Sequence, residues 1–370
     1  MKVITRIMIV LVLGMIILGT FMVFSASGTY SEYRFNDYYY LFQKHITKVV
    51  LAIGLMIIAA LIDVDLYKFI SKYFMIGILI ILIITLFTAE SINGASRWFS
   101  VGPFSFQPSE LAKLFLIIHI AVMFDKKGED IKDFKNGFTY ILFWTFSFAV
   151  AVVFQPNLST AIIICFVAFA MMFVGGSKLS HLFNLAALGL IVVVILVLSF
   201  PHAKIRIEQY YNGLIGLAEP NAQVFQAKIG LGSGGINGVG FGMSRQSNLF
   251  LPESYTDFIF SILGEELGLI GALFLLISYL LLFILGVIIS KKSNSTYKQL
   301  LGFGISFHIL ITSLINVAVV VGAFPTTGIT LPFISYGGTS IFVYAVSIGM
   351  LINIAQSTYV TKFKQRERIE

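Results

Sequence analysis

Residues 249–268 read Leu-Phe-Leu-Pro-Glu-Ser-Tyr-Thr-Asp-Phe-Ile-Phe-Ser-Ile-Leu-Gly-Glu-Glu-Leu-Gly. A polar loop here enters an apolar helix, and Asp257 stands at the crossing point. Ionisable groups at the edge of hydrocarbon are costly and mark sites of function. In a chain this apolar, Asp257 is the natural candidate for chemistry.

The rest of the chain sets the class. Apolar residues make up 58% of its 370 residues and charged ones 12%, where a soluble domain carries about 25% charged. A span needs roughly 20 mostly apolar residues. Candidates fall at about 7–27, 46–62, 73–89, 107–124, 138–154, 158–175, 181–200, 257–289, 299–321 and 339–358. The expected fold is an all-α polytopic membrane protein of about ten transmembrane helices with one large extracytoplasmic loop. Three regions follow: helices 1–7 in residues 1–200, a large loop at 201–256 packed on the helices, and helices 8–10 with a short basic cytoplasmic tail in 257–370.

Charge placement orients the chain. With the N-terminus cytoplasmic, 16 of the 25 Lys and Arg residues fall in cytoplasmic segments, as the positive-inside rule requires. Both termini are then cytoplasmic, and residues 201–256 lie outside. The net charge of +7 shows no basic stripe with interleaved aromatics, so nucleic acid is not an expected partner. Lys2 and Arg6 before an apolar run imitate a signal peptide, but residues 7–24 form a run of 18, longer than the ~7–15 of such a segment. We read it as an uncleaved first span. The single cysteine, Cys165, excludes an intrachain disulfide and is expected as a small buried hydrophobe.

Four further stretches carry candidate chemistry. The loop at 201–256 holds seven glycines between Gly230 and Gly242, including a formal G-x-G-x-x-G at Gly230, Gly232 and Gly235. That fingerprint requires a strand before it and a helix after it in a soluble unit, so a tight backbone packed on helices is the better reading. Residues 93–113 place Arg97 beside Trp98, and Glu110 three residues before Lys113. Such a pair shares a helix face. It is either a self-neutralising ion pair or part of a polar cavity beneath Asp257. Arg97 suits an interface anchor or a grip on an anionic headgroup. Residues 325–340, with Ser335 and Tyr336, form an uncharged loop rich in hydroxyls, Pro and Gly. At membrane depth such a backbone lines a cavity or is buried in protein. The fourth stretch is the break Gln155-Pro156-Asn157-Leu158-Ser159-Thr160.

Ser25-Ala26-Ser27, the block from Gly94 to Lys113, the block from Gly232 to Gly268 and that from Pro325 to Ser340 follow one another along the chain. Together they resemble the SEDS family (shape, elongation, division, sporulation), which includes FtsW and RodA. Ser244-Arg245-Gln246 and Glu253 to Phe258 are more similar to the FtsW and sporulation branch. The resemblance implies a peptidoglycan glycosyltransferase of the bacterial cytoplasmic membrane that polymerises lipid II on the outer face. Its partners would be a class B penicillin-binding protein and other division or elongation proteins. The family's essential aspartate maps onto Asp257, and its motif glutamate and lysine onto Glu110 and Lys113. Asn157 and Ser159 stand where the family usually has Asp and Gly, so no catalytic role is carried onto Asn157.

The resemblance also implies an inverting displacement, which needs a base for the acceptor hydroxyl and positive charge for the departing diphosphate. Asp257 is the expected base, with the role of metal ligand as its alternative. Arg97, Glu110, Lys113, Arg245, Ser335 and Tyr336 are the expected substrate-binding residues. A divalent cation, magnesium or manganese, is the one cofactor this chemistry has room for. A lipid II flippase and a non-catalytic scaffold for the penicillin-binding protein are the competing readings.

Overall fold

The computed structural model describes residues 1–88, 97–101, 104–215 and 221–367. Residues 93–96, Gly102 and Pro103 of the second motif, and Arg368 of the tail, lie outside the described residues. The chain is built of helices: α1 (Lys2–Phe35), α2 (Tyr40–Leu61), α3 (Leu66–Thr88), α4 (Pro108–Lys127), α5 (Thr139–Val153), α6 (Leu158–Val174), α7 (Leu179–Ser199), α8 (Pro201–Leu214), α9 (Ala222–Gly234), α10 (Ile259–Lys292), α11 (Thr296–Val320) and α12 (Thr339–Glu367). A two-stranded hairpin, β1 (Phe99–Val101) with β2 (Phe104–Phe106), leads into α4.

Each of the ten expected spans coincides with one of these helices. Among the described residues, eight helices are long and apolar enough to cross a membrane. Of the other two, α6 is short, and α4 carries Glu110, Lys113 and Asp125 along its length. Position explains why α4 tolerates charge: most of its residues are buried, against α3, α6, α11 and α12. By contrast α7 buries only Leu182 and sits at the periphery against α6 and α8. Cys165, expected inside, is exposed on the outer side of α6 beside the exposed Phe166. An apolar small side chain facing lipid costs nothing, so composition alone does not separate the two faces.

Among its described residues, the 201–256 segment includes two helices. It opens with α8, started by Pro201 at the first helical position, where its missing N–H is not needed. It continues through α9, which packs against α10. Gly230 and Gly234 face Ser261 and Gly264 there, and a Cβ at Gly234 would run into the Gly264 carbonyl. Small residues four apart let two helix backbones approach this closely.

The glycine run then does a second job. α10 breaks at Gly268 (φ 67°), and residues 235–240 run into the break. Leu269 and Ile270 donate their N–H groups to the Gly235 and Ile236 carbonyls at 2.9 and 3.3 Å, while Val239 and Gly240 donate to the Glu265 and Glu266 carbonyls at 2.9 and 3.1 Å. Backbone groups freed by a broken membrane helix are thus re-paired inside the protein. Gly238 (φ +81°) and Gly268 meet backbone to backbone, and neither has room for a Cβ. Gly238→Ala and Gly268→Ala are each expected to cost at least ~2 kcal/mol. Gly14→Ala, where nothing lies within 4 Å of the added carbon, should be neutral or stabilising. Melting temperatures of the three variants in detergent check this, and equal values would contradict the packing argument.

Candidate functional site

The site is built on two irregular segments. The first, 253–258, is a compact turn in which Thr256 and Phe258 donate N–H groups to the Glu253 carbonyl at 3.2 and 3.1 Å. Ser254 ties it to α1 through the Ala26 carbonyl at 3.2 Å. The second is the 325–340 connection between α11 and α12. Leu331, Phe333, Ile334 and Ser335 are buried in it, so this backbone re-enters the bundle.

Side chains weld the two segments together. Asn316 of α11 donates its amide to the Asp257 and Ile329 carbonyls, both at 2.7 Å. The Ser335 hydroxyl donates to the Thr256 carbonyl at 2.6 Å and accepts from the Leu331 N–H at 2.8 Å. Tyr336 donates its N–H to the Tyr255 carbonyl at 2.9 Å. Tyr279 of α10 donates to the Pro332 carbonyl at 2.5 Å. Asp257 is thereby fixed at the mouth of α10, with Gly328 against its carboxylate: a Cβ at Gly328 would stand 3.5 Å from Asp257 Oδ2.

The electrostatics of Asp257 are a contest. Burial and the nearby Glu253 carboxylate push its carboxyl up from 3.8 to about 7, while Arg97 and Arg206 pull it down. One cation at close range ordinarily lowers a carboxyl by about 1–3 units. Here desolvation wins over two, leaving a group that gains and loses its proton near neutrality. Arg97 is itself held below its ordinary value by burial and by the Arg206 guanidinium, against the pull of Asp257. Two like charges crowd one carboxylate.

Both guanidiniums face a cavity of about 440 Å³. Its walls come from α6 and α7 (Val193, Val197), the 155–159 break (Pro156, Asn157, Ser159), α8 and residues 324–327. Arg97 is anchored on the Pro156 carbonyl and Arg206 on the Thr326 carbonyl at 3.1 Å. No carboxylate lines the cavity among the described residues. Because α7 packs so lightly, the cavity lies against an apolar wall at the edge of the bundle.

Of the residues expected from sequence, Asp257 and Arg97 come together. Glu110 and Lys113 do form an ion pair, at 2.8 Å and buried. Neither residue lines the cavity that Arg97 and Arg206 face; Lys113 abuts a gap of about 10 Å³ lined by Leu116, Ile117, Ile164 and Val167. Ser335 and Tyr336 do not line the cavity either: they hold the Asp257 turn from behind. Arg245 is exposed, and its backbone N–H is bound by Glu265 at 3.0 Å. It is not among the charges acting on Asp257. Arg206 and Glu253 were not singled out from sequence. A usable signal existed for Arg206: Lys204 pairs with Glu208 on α8 at 3.6 Å, which leaves Arg206 as an unneutralised cation in an outer segment where cations are disfavoured.

For a divalent cation, the donors near Asp257 are its own carboxylate and that of Glu253. Magnesium is typically held by one or two carboxylates together with substrate phosphates. The pair suits an ion that arrives with a diphosphate.

A carboxylate acted on by two guanidiniums, and a cavity at the bundle's edge that both guanidiniums face, give this polytopic membrane protein a site rich in positive charge. The chain belongs to the FtsW/RodA/SpoVE family, whose model, described as "Cell cycle protein", matches residues 5–360. It is 34% identical to stage V sporulation protein E of Bacillus subtilis over 94% of this chain and 96% of that one. It is 32% identical to a probable peptidoglycan glycosyltransferase FtsW of Escherichia coli over 96% and 87%. Its fold matches a chain from a peptidoglycan synthase complex that coordinates polymerization and crosslinking, with a TM-score of 0.77, 25% identity and 95% and 97% coverage. It also matches the rod shape determining protein RodA of Thermus thermophilus, with a TM-score of 0.68, 24% identity and 95% and 96% coverage.

The balance of forces on Asp257 can be measured without any activity. Infrared titration of its carboxyl, isolated by difference against Asp257→Asn, should show a midpoint near 7. Glu253→Gln removes a repelling charge and should lower that midpoint; Arg206→Gln removes an attracting one and should raise it. Shifts in the opposite directions would overturn the assignment.

Proposed function

We propose that the protein is a peptidoglycan glycosyltransferase that polymerises lipid II by an inverting displacement, with Asp257 as general base. The observation that carries this reading is the Asp257 carboxyl, pushed to about 7 by burial beside two guanidiniums that face one cavity. A base is most effective when its pKa lies near the working pH. Asp257 takes the proton of the acceptor hydroxyl as that oxygen attacks the sugar carbon and the lipid diphosphate departs. Arg97 and Arg206 stabilise the charge that develops on the leaving group, and guanidinium geometry suits phosphate oxygens. A magnesium or manganese ion bound to the diphosphate would find Asp257 and Glu253 as protein ligands and would supply further positive charge. The apolar walls from α6 and α7 suit the polyprenyl chain.

The distribution of Lys and Arg supports an N-terminus in the cytoplasm and Asp257 on the outer face. A class B penicillin-binding protein is the expected partner, in keeping with the fold match to a chain of a complex that both polymerises and crosslinks. The position of Asp257, before α10 and not within it, favours chemistry at one face over transfer between two faces.

Glycan polymerisation from purified lipid II, with the transpeptidase partner present, tests the proposal. Asp257→Asn should lose at least ~10²-fold in rate. For wild type, kcat/KM should rise with pH through about 7 and then level, because the base acts only once deprotonated. Equal rates from both proteins would remove Asp257 from the chemistry, and a folded wild type that makes no polymer would refute the transferase reading.

A further inference from the structure

A second, smaller chamber adjoins the main cavity. It holds about 60 Å³ and lies between α8, α9 and residues 322–326. The two cavities share Arg206, Gln209, Asn221, Phe324, Pro325 and Thr326 as a common wall. Arg206 therefore faces both. The far side of the small chamber carries a second cation, Lys228 of α9. Its side chain passes over Gly322, where an added Cβ would meet the Lys228 Cε and stand 2.6 Å from Nζ. Tyr210 closes another side, with its hydroxyl donating to the Ala323 carbonyl at 2.9 Å. Asn221 donates its amide to Gln209 at 3.1 Å.

The charge balance is uneven. Among the described residues neither Arg206 nor Lys228 has a carboxylate within ion-pair distance, although the other cation of α8, Lys204, does. Among the described residues no acidic residue lines the chamber. Its volume exceeds the roughly 10–15 Å³ needed by one water several times over, which gives room for a tetrahedral anion. An anion between two cations that border one small chamber would be attracted by both.

We infer that the Arg206–Lys228 chamber is a second phosphoryl-binding subsite, which holds the diphosphate of the second lipid-linked substrate. This rests on the transferase reading given above. That reaction brings two lipid diphosphates to one site, one departing and one belonging to the acceptor. Arg97 and Arg206 serve the first, Arg206 and Lys228 the second. The shared guanidinium sets the two headgroups side by side, and the chamber's small size admits a phosphoryl group and no sugar.

Lys228 is exposed, so its replacement should leave folding intact, and melting in detergent confirms that. The test uses the full chain with its transpeptidase partner, lipid II as substrate, and inorganic pyrophosphate, inorganic phosphate and micellar polyprenyl diphosphate as competitors. A charge-assisted contact of this kind is worth roughly tenfold or more in affinity. Lys228→Gln should raise the KM for lipid II about tenfold while kcat falls by less than threefold. It should also weaken inhibition by polyprenyl diphosphate and by pyrophosphate to a similar degree, and Lys228→Arg should restore both. An unchanged KM and unchanged inhibition in an active Lys228→Gln enzyme would overturn the subsite while leaving the role of Asp257 standing. An effect confined to inorganic phosphate would mark a free-phosphate site and overturn the lipid assignment. A wild type without polymerase activity would count against the transferase reading itself.

Discussion

The Asn316 amide holds the site together. It reaches from α11 to two carbonyls, those of Asp257 and Ile329, in two irregular segments. Away from water an unpaired carbonyl costs several kcal/mol. The amide therefore does more than decorate the site: it is a condition for irregular backbone to exist at that depth. Ser335 and Tyr336 complete the arrangement from the α12 side by taking the next two carbonyls of the turn. A carboxylate carried on a free loop would wander. Carried on this doubly tethered turn, it keeps one position beside Gly328.

The same economy governs charge. Asp257 is balanced between a desolvation term that favours its proton and two guanidiniums that oppose it. Neither side can be strengthened without loss of chemical use. A drier site would leave the carboxyl protonated at neutral pH, and a closer guanidinium would make it a weaker base. The cavity walls avoid further carboxylates, so the positive charge there is left for an incoming anion. The Glu110–Lys113 pair behaves differently. It neutralises itself in the first two turns of α4, where both side chains are buried.

The broken helix α10 shows how the outer segment is locked to the spans. Residues 235–240 fill the break at Gly268 with four backbone hydrogen bonds. Glu265 gathers the start of the following stretch through the Ser244 hydroxyl and the N–H groups of Arg245 and Gln246. α9 and the Asp257 turn are thus attached to opposite ends of the same half-helix. A displacement of either is felt by the other through rigid backbone.

By itself the sequence determined the helical membrane class, the position of the spans, the family and the identity of Asp257. Those follow from local properties: runs of apolar residues long enough to cross hydrocarbon, cations biased to one side, and a lone carboxylate at a span's edge. It also determined that the glycine run is packed backbone and no nucleotide loop, since the flanking strand was missing. Only the tertiary structure decided which charges act together. Arg206 lies 51 positions from Asp257 and Glu110 lies 147 positions from it, and nothing in either interval says that the first acts on its carboxyl and that the second is spent on Lys113. That choice depends on how α8 folds back over the 324–327 loop and how deeply α4 is buried. It also set Cys165 outward and moved Ser335 and Tyr336 behind the site. The reason is physical: in lipid both faces of a helix are apolar, so the pattern that separates inside from outside in a soluble protein is missing, and packing alone makes the distinction.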